Sequence, residues 1–267
     1  MMNAAPLDSL STNGFAIFRN VIPADKVVTF RQFTQSWLDN YLAQFYRKHG
    51  ITELAEFTAK ASQLSTDKAV VNQLDSEEQK IFSGGFPLEF RLSQELRDFM
   101  CSPELLALAQ QILQVDSVAA HMPPMVRFIS PNNSSAKVPA HIDQQYNEFV
   151  AQFYTVWIPL QDTNNDIGGV NIYCDEQGRG DRLNLTNANQ ADNHFWLGEC
   201  RPTAGFQAQF QSLALGDVLV FAQDVLHESQ GNRTNETRLS VDMRIFDNSS
   251  ASKKHKIVLN NNTVIAP

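Results

Sequence analysis

Two short stretches of the chain, AHIDQ at 140–144 and DVLHES at 224–229, contain residue types that bind divalent metals. Residues two apart in an extended segment point to the same side, so His141 and Asp143 can face one point. With His227 as a third ligand they form the two-histidine, one-carboxylate set of non-haem Fe(II) sites, which leaves adjacent coordination positions open. We therefore predict a metal site at these three residues.

Runs with the character of β-strands surround both stretches. They are YTVWIPL at 154–160, VNIY at 170–173, the Gly-Asp turn and apolar run LALGDVLVF at 213–221, and the alternating run NETRLSVDMRIF at 235–246. A metal site assembled from one early and one late strand suits a double-stranded β-helix, the jelly-roll barrel. We predict this fold for the β-rich part of the chain.

An arginine on the last of these runs is placed to bind a carboxylate. Arg238 follows His227 by 11 residues (238 − 227 = 11). Its planar guanidinium can donate two parallel hydrogen bonds to a carboxylate. A dicarboxylate that chelates iron at one end would need such a partner at its other end. Ser240 shares the face of Arg238, and Ser229 shares the face of His227.

Taken together, these pieces resemble the phytanoyl-CoA dioxygenase family of Fe(II)/2-oxoglutarate oxygenases. The resemblance spans roughly residues 120 to 246. It rests on His141-x-Asp143, Trp157-Ile158-Pro159-Leu160, Gly168-Gly169, Gly216-Asp217-Val218-Leu219-Val220-Phe221, His227-x-Ser229 and Arg238-Leu239-Ser240.

The resemblance implies the jelly-roll fold, with Fe(II), 2-oxoglutarate and O2 as cofactor and co-substrates. It implies that His141, Asp143 and His227 hold the iron and carry catalysis. It also implies that Ser229 and Ser240 contact 2-oxoglutarate beside Arg238. The expected activity is oxidation of a small molecule, by hydroxylation, with conversion of 2-oxoglutarate to succinate and carbon dioxide.

Six further residues are candidates for the pocket. Trp157 is expected in its wall. Arg127 lies within an apolar run, so it either faces outward or binds a carboxylate inside the barrel. Arg244 shares the parity of Arg238 and is expected to point inward, further from the iron. The residues after the metal motif, on a predicted loop, are candidates for substrate contact: Gln144, Gln145 and Tyr146.

Two other classes of function are compatible with the sequence. One is a jelly-roll protein that uses zinc or manganese without oxidative chemistry, as a hydrolase or isomerase. Zinc prefers a third histidine or a nearby glutamate base, and Arg238 would then have no task. The other is a ligand-binding barrel without turnover, in which the intact triad would be unexplained. Conversion of 2-oxoglutarate to succinate distinguishes both from an oxygenase.

Composition excludes some partners. The net charge of −8 argues against binding to a nucleic-acid backbone, which requires a basic surface. Three scattered cysteines suggest neither zinc nor a disulfide framework. We see no secretory signal in residues 1–15 and no apolar run of membrane-spanning length. A cytoplasmic protein without a membrane partner is therefore expected, and nothing in the sequence sets its oligomeric state.

We expect the 267 residues to form a single α+β domain with a mainly β core. Residues 1–117 should be mainly helical and buttress the barrel, and residues 118–250 should form the jelly-roll core. The strongest helix signal runs from Ala24 to about Lys48 and ends at Gly50. Shorter helices are predicted for Ser93 to Met100 and, after Ser102-Pro103, for Leu105 to Leu113.

Overall fold

The computed structural model describes residues 4–184, 188–189 and 199–267. Its helices are α1 (Ala4–Asn13), α2 (Ala24–His49), α3 (Leu54–Thr66), α4 (Lys68–Val71), α5 (Ser76–Phe82), α6 (Leu88–Arg91), α7 (Gln94–Met100) and α8 (Pro103–Leu113). Single turns of 3-10 helix cover Ser134–Ala136 and Asp143–Gln145.

The strands, apart from the first, follow the helices in the chain. They are β1 (Phe15–Phe18), β2 (Val118–His121), β3 (Met125–Ile129), β4 (Tyr154–Pro159), β5 (Val170–Cys174), β6 (Ala188–Asn189), β7 (Glu199–Cys200), β8 (Gln207–Gln211), β9 (Val218–Ala222), β10 (His227–Ser229), β11 (Arg238–Asp247), β12 (Lys256–Val258) and β13 (Thr263–Ile265).

Two antiparallel sheets form the barrel. The larger has the order β1-β9-β4-β11-β2-β12-β13, with β3 also paired to β11, and the smaller has the order β10-β5-β8. Trp157 and Phe221 of the larger sheet share one buried cluster with Val170 and Ile172 of the smaller sheet. The two sheets therefore face each other, and the predicted jelly-roll fold with a mainly β core is confirmed.

Strand β11 shows why the helices cover only one side of the larger sheet. Successive residues of a strand point to opposite faces. Leu239, Val241, Met243 and Ile245 are all at most 1% exposed and belong to the core that the helices share. The alternate residues face the space between the two sheets. The predicted buttressing by N-terminal helices follows from this apolar outer face.

Helix α2 matches the sequence prediction to within one residue at its end. Val27, Phe30, Leu38 and Phe45 recur at helical spacing and are buried. Gly50 ends the helix with φ +63°, a conformation that favours glycine, and its amide donates to carbonyl oxygens of the last turn. Burying side chains of this size contributes about 1.5–3 kcal/mol each, so this face fixes α2 on the core.

The prediction missed helix α1. Its sequence, AAPLDSLSTN, is too short to show a clear apolar period, and Leu10 is its main buried side chain. The helix contacts β1, and Gly14 turns the chain between them with φ +80°. Tertiary contact thus stabilises a segment with a weak local signal. Among the described helices, none combines the length and apolar character required to cross a bilayer.

Candidate functional site

His141 and His227 lie directly opposite each other. They form an isolated antiparallel bridge in which each backbone amide donates to the other carbonyl, at 2.9 and 3.0 Å. His227 begins β10, whose pairing with β5 sets it against Ile172. His141, by contrast, does not begin a strand as the sequence suggested: residues 143–145 turn into 3-10 helix, and β4 starts only at Tyr154.

Both imidazoles are oriented in the same way. Nδ1 of His141 donates to the carbonyl of Pro139 at 2.7 Å, and Nδ1 of His227 donates to that of Val225 at 2.9 Å. A carbonyl can only accept, so Nδ1 carries the proton and Nε2 keeps a free lone pair. Burial lowers the pKa of His141 to about 3 and also lowers that of His227, so both rings are neutral at physiological pH.

Asp143 is held as a carboxylate between two donors. Its Oδ2 accepts a hydrogen bond from the Thr155 hydroxyl, and its Oδ1 accepts one from Arg244 Nη2 at 3.0 Å. Burial alone would raise the pKa of Asp143, but the charge of Arg244 and the hydrogen bond from Thr155 hold it well below its ordinary value. Neutral imidazoles and an ionised carboxylate are the forms that bind a metal.

The three ligand atoms can reach one ion. Asp143 Oδ1 lies 3.8 Å from His141 Nε2 and 4.0 Å from His227 Nε2. Two ligand atoms that each bind a metal at about 2.1 Å can be up to ~4.2 Å apart. All three residues are buried, and within the described parts of the chain they form the one cluster of histidine, cysteine and acidic side chains close enough to hold a metal. The residues therefore fit the predicted metal centre.

The triad opens into a cavity of about 280 Å³ between the two sheets. Its walls are apolar beside the metal ligands, with Trp157, Val170 and Phe221. Another wall comes from the inward face of β11, where Arg238, Ser240, Asp242 and Arg244 follow each other at every second position. A small cavity with an apolar wall and many converging polar side chains has the character of a ligand site.

Arg238 and Ser240 have hydrogen-bonding capacity to spare. Arg238 is 2% exposed, and its Nη1 donates to the carbonyls of Gly169 at 3.3 Å and Gln230 at 3.1 Å. Its Nε and the Ser240 hydroxyl are buried without a hydrogen-bond partner. Burial lowers the pKa of Arg238 to about 9, so it stays charged at neutral pH. A buried charge with unused donors suits the carboxylate of 2-oxoglutarate.

The Gly168-Gly169 turn is shaped around this arginine. Gly168 has φ +81°, and a Cβ atom on it would lie 2.5 Å from the Gly231 carbonyl oxygen and 2.8 Å from Arg238 Nη1. Only glycine both adopts this φ readily and has no Cβ atom to make these close contacts. The turn quoted in the sequence therefore has a local role, which is to hold the Arg238 guanidinium in place.

Ser229 and Trp157 both line the cavity, as predicted. The Ser229 hydroxyl oxygen accepts a hydrogen bond from the Val138 amide at 2.8 Å, which leaves its own proton free to be donated. Trp157 is 4% exposed and belongs to the apolar cluster between the sheets. A role of these two residues toward 2-oxoglutarate stays a prediction.

The structure resolves the two alternatives for Arg127 and corrects the position of Arg244. Arg127 faces inward, lines the cavity, and donates to the carbonyls of Ser83 and Ala136, each at 2.9 Å. Arg244 was expected to lie further from the iron. It instead contacts the metal ligand Asp143 directly, since the register of β11 on β4 pairs it with Thr155, the other donor to that carboxylate.

The predicted substrate contacts divide into two groups. Tyr146 lines the cavity, and its ring stands edge-on to His141 with centroids 5.3 Å apart. Gln144 and Gln145 do not line the cavity. The side-chain oxygen of Gln145 accepts from the Ile142 amide at 3.0 Å, and the Gln144 amide bonds to the Gln223 carbonyl. These hydrogen bonds lie within or beside the turn that carries Asp143, and a contact of Gln144 or Gln145 with substrate stays a prediction.

Sequence reasoning did not assign several polar cavity residues to the pocket, among them Arg91, Thr155, Asp242 and Lys254. Asp242 could have been found, because it has the parity of Arg238 and Arg244. Burial raises its pKa to about 6, against the opposing charges of Arg244 and Arg127. Nothing local marks the other residues as cavity residues, since their positions depend on pairing between distant elements.

The family is decided by a match over most of the chain. The family model for phytanoyl-CoA dioxygenase (PhyH) matches residues 10–240, which include all three metal ligands, Arg238 and Ser240. The chain belongs to the phytanoyl-CoA dioxygenase family. The predicted resemblance is thereby confirmed. No curated protein sequence matches significantly.

Several solved structures have a similar fold, and some of them are non-heme, alpha ketoglutarate-dependent enzymes. The carbocyclase SnoK from nogalamycin biosynthesis has 14% identity and a TM-score of 0.60, over 94% of this chain and 86% of its own. EvdO2 from Micromonospora carbonacea var. aurantiaca, complexed with 2-oxoglutarate, has 14% identity and a TM-score of 0.60 over 94% and 93%. The epimerase SnoN, in complex with Fe3+, alpha ketoglutarate and nogalamycin RO, has 16% identity and a TM-score of 0.56 over 93% and 84%.

Family membership and the buried His141, Asp143 and His227 group together identify this member of the phytanoyl-CoA dioxygenase family as a non-haem iron enzyme dependent on 2-oxoglutarate. The predicted cofactors, Fe(II) with 2-oxoglutarate and O2, are confirmed. The neighbouring structures include an epimerase and a carbocyclase. The fold therefore hosts several reaction types, and the reaction of this chain has to be argued from its own site.

Proposed function

We propose that this chain hydroxylates a small-molecule substrate while converting 2-oxoglutarate to succinate and carbon dioxide. The observation that carries the proposal is the complete triad sharing one cavity with the unused donors of Arg238 and Ser240. A metal centre alone would suit several chemistries. Within the described chain no carboxylate forms an ion pair with the buried Arg238 beside that centre, and an anionic co-substrate would provide one.

The side chains have distinct tasks in this proposal. Nε2 of His141, Nε2 of His227 and the Asp143 carboxylate hold the iron, and the spare donors of Arg238 and Ser240 bind the carboxylate of 2-oxoglutarate that does not reach the metal. The hydroxyl proton of Ser229 is free to add a further hydrogen bond. When bound, iron and 2-oxoglutarate supply the oxidative chemistry.

Two features of the chain support turnover. Thr155 and Arg244 fix both oxygens of Asp143, so the carboxylate keeps one orientation and the ligand set keeps one side open. Trp157, Val170 and Phe221 give the cavity an apolar wall that limits water beside the metal. A cavity of about 280 Å³ admits a small molecule or one end of a longer one.

The test is the fate of 2-oxoglutarate. Purified protein with Fe(II), 2-oxoglutarate and oxygen should release succinate, faster when a substrate from a compound panel is present, and the product should gain one oxygen atom by mass. Asp143→Ala and zinc-loaded protein are the controls. Succinate with a product that has lost two hydrogens would replace hydroxylation by desaturation. Absence of iron-dependent succinate would overturn the proposal in favour of non-oxidative chemistry or binding alone.

A further inference from the structure

The cavity has a second group of basic side chains, at the opposite end of β11 from Arg238. Arg238 and Arg244 are six residues apart, which separates their backbones by about 20 Å along an extended strand. Arg91, His121 and Lys254 line the cavity at the Arg244 end. We call these three residues the distal basic cluster. None of them is a predicted metal or co-substrate ligand.

Arg91 is the buried member of the cluster and has a donor to spare. It ends helix α6 and is 7% exposed. Its Nε donates to the Pro124 carbonyl at 2.7 Å and its Nη2 to that of Pro123 at 3.4 Å. These contacts hold the guanidinium rigidly but use only two of its three nitrogens. Within the described chain no carboxylate forms an ion pair with it, although an arginine buried to this degree normally has one.

The side chains of His121 and Lys254 both contact the aromatic ring of Phe149. The His121 ring stacks on Phe149 with centroids 4.5 Å apart, and Lys254 Nζ lies 5.8 Å from the centre of the same ring. Phe149 is itself buried. Burial, with the charges of Arg244, Lys254 and Arg91, lowers the pKa of His121 to about 3. Those three cations therefore converge on one half-buried imidazole.

The acidic side chains that line the cavity do not form ion pairs with the distal basic cluster. Asp143 is paired with Arg244 at 3.0 Å. Glu228 accepts from Asn171 at 2.8 Å and faces Lys137 at 3.6 Å. The remaining acid is Asp242, which lies in the field of Arg127 and Arg244. Among the described residues, no carboxylate that lines the cavity is left to pair with Arg91 or Lys254; Glu77 acts on the charge of Arg91 from outside the cavity.

We propose that Arg91, His121 and Lys254 bind an anionic group of the substrate, a carboxylate or a phosphate, and thereby orient the substrate toward the metal centre. The inference rests on the proposed function, because it assigns the substrate of the same cavity. An anion here would receive charge-assisted hydrogen bonds from the free nitrogen of Arg91 and from Lys254. The Arg238 end is left for 2-oxoglutarate, since one five-carbon diacid is too short to contact both ends.

The test uses probes that differ only in charge. Protein loaded with Fe(II) and saturating 2-oxoglutarate, without oxygen and at about 0.15 M salt, is titrated by calorimetry with benzoate, phenyl phosphate and neutral benzamide. We expect at least one anion to bind about tenfold more tightly than benzamide. The tighter of the two anions identifies the chemical class of the substrate group. Equal binding of all three, or no binding of either anion, overturns the inference.

Two neighbouring lysines provide a matched pair of variants. Lys254→Gln removes a charge from the cavity and should weaken binding of the preferred anion about two- to fivefold, as expected for an exposed charge. Lys253→Gln, an equally exposed position outside the cavity, should have no effect. Arg91→Gln should weaken the anion by about tenfold or more. If it does not fold, the lysine pair still decides the question, because equal effects of the two lysine variants contradict the cluster.

A separate measurement distinguishes failure of this inference from failure of the proposed function. The same proteins are assayed for 2-oxoglutarate affinity and for slow succinate release in the absence of substrate. Both should be unchanged in Lys253→Gln, the control variant outside the cavity. If unmodified protein releases no succinate, the proposed function fails. If succinate release is normal and the anions are not preferred, only the distal basic cluster is refuted.

Discussion

The two faces of strand β11 are buried to a similar degree and have opposite chemistry. The outer face carries Leu239, Val241, Met243 and Ile245 against the helices, and the inner face carries Arg238, Ser240, Asp242 and Arg244 around the cavity. Apolar burial stabilises the fold, whereas burying charged groups costs free energy unless they are matched. The comparison separates the residues that make this a stable jelly roll from those retained for chemistry.

Removing a metal ligand on the cavity side should have the largest effect. His141→Ala, Asp143→Ala or His227→Ala each leaves two ligands, and iron-dependent succinate release should disappear while the unfolding temperature changes little. Succinate assays and thermal denaturation measure the two properties. His255→Ala, an exposed histidine outside the cavity, is the control. Near-normal activity in any triad variant would remove that residue from the site.

A core substitution on the outer face of β11 should lower stability and leave the binding of 2-oxoglutarate unchanged. Leu239 is 0% exposed, and Leu239→Ala should lower the free energy of unfolding by about 2–5 kcal/mol because it leaves a cavity. The dissociation constant for 2-oxoglutarate should stay the same wherever the variant remains folded. Urea denaturation and calorimetry provide the two measurements. A large change in affinity with unchanged stability would mean that the two faces are not separable.

Arg238 is adjacent to Leu239 but faces the cavity, so its substitution tests the inner face of β11. Arg238→Ala should weaken 2-oxoglutarate by roughly 30-fold or more, corresponding to about 2–5 kcal/mol for a buried charge pair. Arg238→Lys should recover only part of the affinity, because an ammonium cannot form the bidentate fork. The affinity of the prime substrate should change far less. An unchanged constant for 2-oxoglutarate would instead point to Arg127 or Arg244.

Thr155→Val tests a side chain that contacts the metal ligand Asp143 but is not itself a metal ligand. The substitution keeps the side-chain shape and removes the hydroxyl that donates to Asp143. Loss of such a contact to a metal ligand typically costs 10- to 100-fold in metal affinity or activity. Iron titrations followed by activity would reveal it. If iron binds the variant and the parent protein equally well, Arg244 alone is sufficient to orient the carboxylate.

Added chloride or bromide should have the smallest effect, because it should not change the products of turnover. The three protein ligands, 2-oxoglutarate and oxygen would together fill the coordination positions of the iron, so a halide would find a free position only if Asp143 were missing. Turnover in high chloride or bromide should therefore give products without halogen, as judged by mass. A halogenated product from unmodified protein would contradict the assignment of Asp143. Asp143→Gly opens the position, but we expect it mainly to lose activity.

The triad and the inward position of Arg238 were predictable because each belongs to a short local pattern. His141 and Asp143 are two residues apart, and Arg238 opens a strand with strict alternation. The turn that carries Asp143 was not predictable, because an extended segment and a 3-10 turn can both bring residues two apart to one side. That difference also explains Gln144 and Gln145, whose groups bond within the turn or to its neighbours rather than facing the cavity.

The sequence by itself determined the jelly-roll fold, the helices that cover it, the identity of the metal ligands and the inward position of Arg238. The helices and the inward position of Arg238 follow from periodicity within one segment, whereas the fold and the metal ligands follow from several short motifs and from the resemblance to the family. Only the tertiary structure decided that Arg244 and Thr155 share Asp143, and that Arg91, His121 and Lys254 meet at one end of the cavity. Arg244 is 101 residues from Asp143 along the chain. Convergence over such separations is set by strand register and sheet order, and no local pattern encodes either.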